Sequence, residues 1–354
     1  MKRLLAFAVF LAGVLVAVGL VSAAGLPSVA RALGQVGWSG FAAMLALQIV
    51  SLGLCSLAWA AVSDRGGWRA HFLARWIRDG ASNLLALLPV VGEVAGARVL
   101  SRAASVAPAE AAASTVVDVG VEALAQALYT VGAVLLLVWT AAPRELGRWA
   151  LVTLLGVAPM LGLFALTRLP AVVSLAERGL RTAVTLTVAK PLGAGPSVAQ
   201  KVAALHGRRG AILFALLTHL AAWVVGALQL WAASRGFHAP LRVWDAVSME
   251  ALAYAGRTAL FFVPAAAGLQ EGAFVAIGAV LGLSMAESLA LSVALRARDL
   301  VYGAPALLAW GSQEARWGRR EGGADPGRNG LSLAPGLLGR KAERPNYSSA
   351  EIES

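Results

Sequence analysis

Charge is scarce in this chain, and cysteine and histidine are scarcer still. Asp, Glu, Lys and Arg make up only 14% of its 354 residues, against about 25% in an average soluble domain. That is too little to clothe a globule in water, so soluble enzyme domains, nucleic-acid readers and secreted scaffolds are set aside. The single cysteine, Cys55, lies in an apolar run and allows neither an intramolecular disulfide nor a thiolate metal cluster. Motifs that carry hard chemistry are missing too. There is no HExxH zinc pair, no Walker loop, no GxSxG elbow and no DDxxD repeat. No catalytic residue, metal or cofactor is therefore expected. An intramembrane Ser/His hydrolase stays formally open because serines and His219 exist, but no spacing supports it.

Apolar residues are abundant instead, at 58%. Several runs exceed the ~18 residues that mark a membrane helix, so the expected fold is all-α and polytopic. Leu4 to Ala24 follows Lys2 and Arg3 and ends in small residues. Its apolar core is longer than the ~7–15 residues of a signal peptide, so an uncleaved span is the expectation. Further spans are read at Val36 to Val62, Pro108 to Thr140, Trp149 to Leu166, Gly210 to Ser234 and Ala286 to Gly311. Two other apolar stretches are broken. "ASNLLALLPVVGEVAGARVL" is interrupted at Pro89 and Gly92, and Asp245 to Gly282 is interrupted at Pro264 and Gly268. The arms around Pro89 are too short to cross a ~30 Å core. Both stretches read as re-entrant hairpins, tolerable only where protein or water satisfies the opened backbone. The expectation is thus six full transmembrane helices plus two hairpins. Prolines that merely kink ordinary helices are the simpler alternative. Arg168 to Arg209 reads as amphipathic surface helices with "KPLGAGPS" as a turn, and 312–354 as a disordered cytoplasmic tail after a membrane domain spanning 1–311.

Basic residues orient this layout. With the N-terminus inside, 22 Lys and Arg fall on the cytoplasmic side and five outside, in keeping with the positive-inside rule. Both termini are then cytoplasmic, and the two hairpins enter from opposite faces. Broken segments at corresponding places in two halves are the sequence sign of a transporter built from inverted repeats.

Ionisable residues within spans are costly and face a cavity or a partner. Glu110, Ser114, Asp118, Glu122 and Gln126 recur every four residues, with Tyr129 extending the line, so one helix carries a polar, acidic face. Ser288, Ser292, Arg296, Asp299 and Tyr302 make a second stripe, and Glu250, Tyr254 and Arg257 a shorter one. Glu93 and Glu271 stand at the broken points. Such stripes suit a polar groove that takes a lipid headgroup while the tails stay in the bilayer. The plainer account is pairing that holds helices together, with Arg296 and Asp299 as an obvious pair. Asp118 and Glu122, one turn apart, suggest a proton- or cation-binding element, with Arg257 and Arg296 as counterparts able to meet an anionic headgroup. His219, in mid-span, could relay protons but reads more readily as a satisfied packing histidine.

"RDGASNLLALLPVVGEVAGARVL" followed by "STVVDVGVEAL" resembles the membrane region of the lysylphosphatidylglycerol synthase/flippase superfamily. Asn83, Pro89, Gly92, Glu93 and Arg98 carry that likeness. Pro264, Gly268, Gln270, Glu271, Gly272, Arg296, Arg298 and Asp299 resemble the hopanoid-biosynthesis-associated branch. The resemblance covers about Leu4 to Gly311 and implies a multi-pass bacterial inner-membrane protein, not an enzyme, that moves a lipid. A hopanoid or another polyisoprenoid lipid is the implied cargo. Synthase activity does not follow, because only a short polar tail follows Gly311. A membrane scaffold partnering soluble lipid-biosynthetic enzymes is the runner-up, and an intramembrane lipid-modifying enzyme a third reading. Lipid-site residues are expected at Asn83, Glu93, Arg98, Asp118, Glu122, Arg257, Gln270, Glu271, Arg296 and Asp299.

Overall fold

The computed structural model describes residues 15–63, 65–85, 90–140, 146–185, 197–259 and 268–322. Twelve α-helices occur among the described residues. They are α1 (Leu15–Ala24), then α2 (Leu26–Val62), α3 (Trp68–Leu84), α4 (Val91–Ala103), α5 (Pro108–Thr140), α6 (Leu146–Thr167) and α7 (Pro170–Thr185). α8 (Val198–His206), α9 (Arg209–Ala233), α10 (Val243–Ala259), α11 (Leu269–Val280) and α12 (Met285–Gly322) complete the set. Three helices are long and apolar enough to cross a bilayer: Leu26–Val62, Pro108–Trp139 and Arg209–Gly236. Leu15–Ala24, Leu155–Thr167 and Leu269–Val280 are shorter and apolar. The chain divides into two units, Met1–Trp310 and Gly311–Ser354.

Small residues decide where helices approach. α2 begins at Pro27 in its first turn and is broken at Gly37, whose φ of 63° suits glycine and interrupts the ladder. The expected span from Val36 therefore starts ten residues earlier, with a kink in place of a start. Below the kink α2 lies along α9, and α5 touches α2, α4, α6, α8, α9 and α10. One apolar core joins Met44 of α2, Leu137 of α5, Leu230 of α9, Leu252 of α10, Phe274 of α11 and Leu291 of α12.

The outer faces are apolar as well. Trp38, Trp139 and Leu308 are exposed, as are Ile49, Leu135, Leu213 and Leu217. A coat of large apolar side chains fits a hydrocarbon solvent, whereas buried backbone is satisfied within the helices themselves.

The broken segments become helix pairs. α3 packs along α4, and α10 against α11. In both pairs the second helix starts after a left-handed residue, Val90 (φ 57°) or Gly268 (φ 73°), and has its acid in the first turn, Glu93 or Glu271. An acid there meets the positive end of the helix dipole. Pro89 and Pro264 themselves lie outside the described residues, as does the start of the first span before Leu15. Two expectations need correction. The four arginines from Arg65 to Arg78, counted among the 22 cytoplasmic basic residues, do not all lie at a surface, since α3 carries Arg75 and Arg78 into the interior, each 5% exposed. α12 also continues to Gly322, beyond the expected end of helix at Gly311.

In the surface connection, α8 is capped by a reciprocal box. The Ser197 side chain accepts from the Gln200 amide, and Gln200 accepts from the Ser197 amide.

Candidate functional site

The polar stripe on α5 acts as a spine, each rung bonded to another helix. Near its start, Glu110 accepts from Lys201 of α8 at 2.9 Å. Ser114 accepts from the Trp59 indole of α2 at 3.2 Å. Gln126 donates to Thr258 of α10 at 3.2 Å, and the Tyr129 hydroxyl to Glu250 of α10 at 3.0 Å.

Asp118 and Glu122, between those rungs, meet α3. Arg75 grips Glu122 with two nitrogens, Nη2 to Oε1 at 2.6 Å and Nη1 to Oε2 at 2.9 Å. Arg78 reaches both acids, at 2.7 Å to Asp118 and 2.9 Å to Glu122. Asp79 pairs with Arg75 at 2.8 Å and accepts from the Tyr302 hydroxyl of α12 at 3.2 Å. His219 of α9 puts Nε2 3.1 Å from Asp118, and both side chains are fully buried. The planar guanidinium fork suits carboxylates held two-pronged, and the cluster is nearly charge-balanced as buried ions require. Glu93 stands at its edge, 3.9 Å from Arg78.

A second group forms around α11 and α12. Glu271 accepts from Arg296 at 2.6 Å and 3.2 Å. Gln270 donates to the Ser292 hydroxyl at 3.1 Å. Arg298 pairs with Asp299 at 2.6 Å and donates to Gln229, which itself donates to Gln48 of α2 at 3.2 Å.

Between these groups lies a polar cavity of about 190 Å³. Six helices wall it: α2 through Gln48, Ser51 and Cys55, α3 through Arg75, Asp79 and Asn83, α5 through Glu122, α9 through His219 and Gln229, α10 through Glu250 and Tyr254, and α12 through Arg298. Arg257 borders it, donating to Asn83 at 3.3 Å and lying 5.8 Å from the Tyr254 ring centre. Arginine and carboxylate, amide and phenol thus line one cavity, which suits a ligand bearing both charge and hydroxyls. Cys55, Glu122 and His219 also bring potential ligand atoms within 4.8 Å of one another. Both Glu122 oxygens are already held by arginine donors, so these atoms read as part of the ion cluster.

Several expectations change here. Asp118 and Glu122, expected to bind a proton or cation, are bonded to Arg75, Arg78 and His219. Arg296 pairs with Glu271 and Asp299 with Arg298, in place of the expected Arg296–Asp299 pair. His219 is fully buried, with Nε2 bonded to Asp118. Of the expected site residues, Asn83 and Glu122 line the cavity, while Asp118, Arg257 and Asp299 each touch a residue that does. Glu93 and Glu271 belong to different clusters, and Arg98, on α4, is engaged in an interaction of its own. Arg75, Arg78, Tyr129 and Glu250 complete the polar core. The α3 arginines were hidden by their place in a basic run between two apolar stretches, although their spacing of three residues marks one helical face.

These features define an integral, multi-pass, all-helical membrane protein with a polar interior. Residues 4–306 match the family described as "Lysylphosphatidylglycerol synthase TM region", and the chain belongs to that family. No curated protein and no solved structure matches it.

Proposed function

We propose that this protein is a flippase-like lipid carrier of the inner membrane that passes a lipid headgroup through its interior cavity while the apolar tails remain in the bilayer. The polar cavity of about 190 Å³ inside an otherwise apolar-faced bundle carries this reading. A scaffold needs no such space. The paired helices α3–α4 and α10–α11, each with an acid at the start of its second arm, support two re-entrant hairpins in an inverted repeat alongside six full spans. The exposed basic residues Arg65, Arg69 and Arg178 support cytoplasmic termini. We read the protein as a carrier rather than a catalyst. A hopanoid or other polyisoprenoid lipid is our candidate cargo, on the likeness of the "VPAAAGLQEG" segment and the α12 stripe to that branch.

Reconstitution tests this. The full chain is placed in liposomes with a hydroxylated hopanoid, a polyisoprenyl phosphate or a glycerophospholipid, each labelled on its headgroup and present in trace amount. Loss of protection from a membrane-impermeant reagent, faster than in protein-free vesicles, is expected for at least the polyisoprenoid probes. Equal protection with and without protein for all three lipids would refute the carrier reading.

A further inference from the structure

Four acids are buried among the described residues: Asp118, Asp245, Glu250 and Glu271. Three of them face cations. Asp118 meets Arg78, Asp245 meets Arg242 and Glu271 meets Arg296. Glu250 has no cation at ion-pair distance among the described residues, and accepts one hydrogen bond, from the Tyr129 hydroxyl at 3.0 Å. It nevertheless lines the cavity. Gly226 of α9 lies directly against its carboxyl group, and any larger residue there would collide with it.

From this geometry we propose that Glu250 is the proton-binding group of the cavity, exchanging one proton as the lipid headgroup comes and goes. An unpaired carboxylate buried inside a membrane bundle is costly, and a proton removes that cost. Tyr129 can bond to either form, since a phenol both donates and accepts. In the step, one proton passes from hydronium in the cavity to a Glu250 oxygen and returns to water on release. Only O–H bonds form and break. Removing the charge changes the wall that the headgroup meets, so proton and headgroup shift each other's binding reciprocally.

The groups around Glu250 are consistent with that role. From α5 comes Tyr129, with Glu122 held by two arginines. From α9 come Trp223, Gln229 and His219, the last bonded to Asp118. Tyr254 shares α10, and α12 presents Arg298, whose charge is matched by Asp299 at 2.6 Å. α6 brings no titratable group from its described side chains, and α11 brings Glu271, matched by Arg296. Glu250 is thus the acid at this cavity whose charge depends on no fixed partner.

The inference rests on the carrier reading, but its first test does not. Infrared spectra of the full chain in lipid discs, compared at acid and alkaline pH, are expected to show a carboxylic-acid C=O band that is lost in Glu250→Gln and shifted in Tyr129→Phe. Vesicles carrying a pH gradient should then show lipid movement that responds to the gradient in wild type, and a response that is lost in Glu250→Gln. A carboxylic-acid band unchanged by both substitutions overturns the proposal, and so does a gradient response that survives in Glu250→Gln. If the band behaves as expected while no lipid moves in any vesicle, the proton site stands and the carrier reading fails.

Discussion

Arg75 of α3 and Glu122 of α5, 47 positions apart in the chain, form a two-pronged pair at 2.6 and 2.9 Å. The pair, with Arg78 and Asp118, fastens the first broken segment to the most connected helix of the bundle. A charge left alone there stays largely buried without its counter-charge, and the remaining donors lose their acceptor.

Neutralising one partner should therefore destabilise strongly. Arg78→Gln and Asp118→Asn are each expected to cost about 3–5 kcal/mol, the usual penalty for stranding one member of a buried pair. Thermal unfolding in detergent, followed by retention of the monodisperse peak, reads this. The double variant should recover part of the loss, and a double variant worse than both singles would contradict the pairing.

Glu271→Gln should be milder. Its partner Arg296 has a side chain 37% exposed, so that guanidinium is not stranded in the packed interior. A loss of about 1 kcal/mol or less is expected, well below that of Asp118→Asn in the same assay.

Close packing at Gly226 gives a third expectation. Gly226→Ala places a methyl against the Glu250 carboxyl and should cost about 1–3 kcal/mol by overpacking. Combining it with Glu250→Ala should relieve most of the cost, which a melting-temperature cycle would show.

His206, on the surface helix α8, is partly buried, and that burial lowers its pKa from 6.5. The unfolded chain then binds the proton more readily than the folded one. Stability contributed here is present above about pH 6.5 and is lost as pH falls through that value towards the folded pKa. Replacing His206 with Gln should flatten the fall in stability over that window, measured by denaturation at a series of pH values.

Much of the architecture follows visibly from the sequence. Apolar run lengths place α2, α5 and α9, and the four-residue rhythm from Glu110 to Gln126 identifies the helix whose polar side chains bond to α2, α3, α8, α9 and α10. Pro/Gly breaks mark two segments that form helix pairs. The partners of the stripe are less legible. Arg75 and Arg78 sit in a run with Arg65 and Arg69, and nothing local distinguishes the two that turn inward from the two that face out. That choice is made by Asp118 and Glu122, some 40 residues downstream in the same chain. Arg296 and Asp299 show the converse. Their spacing of three permits a pair, yet each finds a better-placed partner, Arg296 across on α11 and Asp299 beside it on α12. Periodicity fixes which face a side chain shares but not which neighbouring helix supplies its counter-charge.

The most direct test of the account is to fill the cavity and follow the lipid. Ser51 lines the space from α2, and Ser51→Trp puts bulk where the headgroup would pass without removing any of the charges. Wild-type protein in liposomes should expose a headgroup-labelled polyisoprenoid lipid to an impermeant reagent, and an equal amount of monodisperse Ser51→Trp protein should not exceed protein-free vesicles. Movement at the wild-type rate through the filled protein would contradict passage through the cavity.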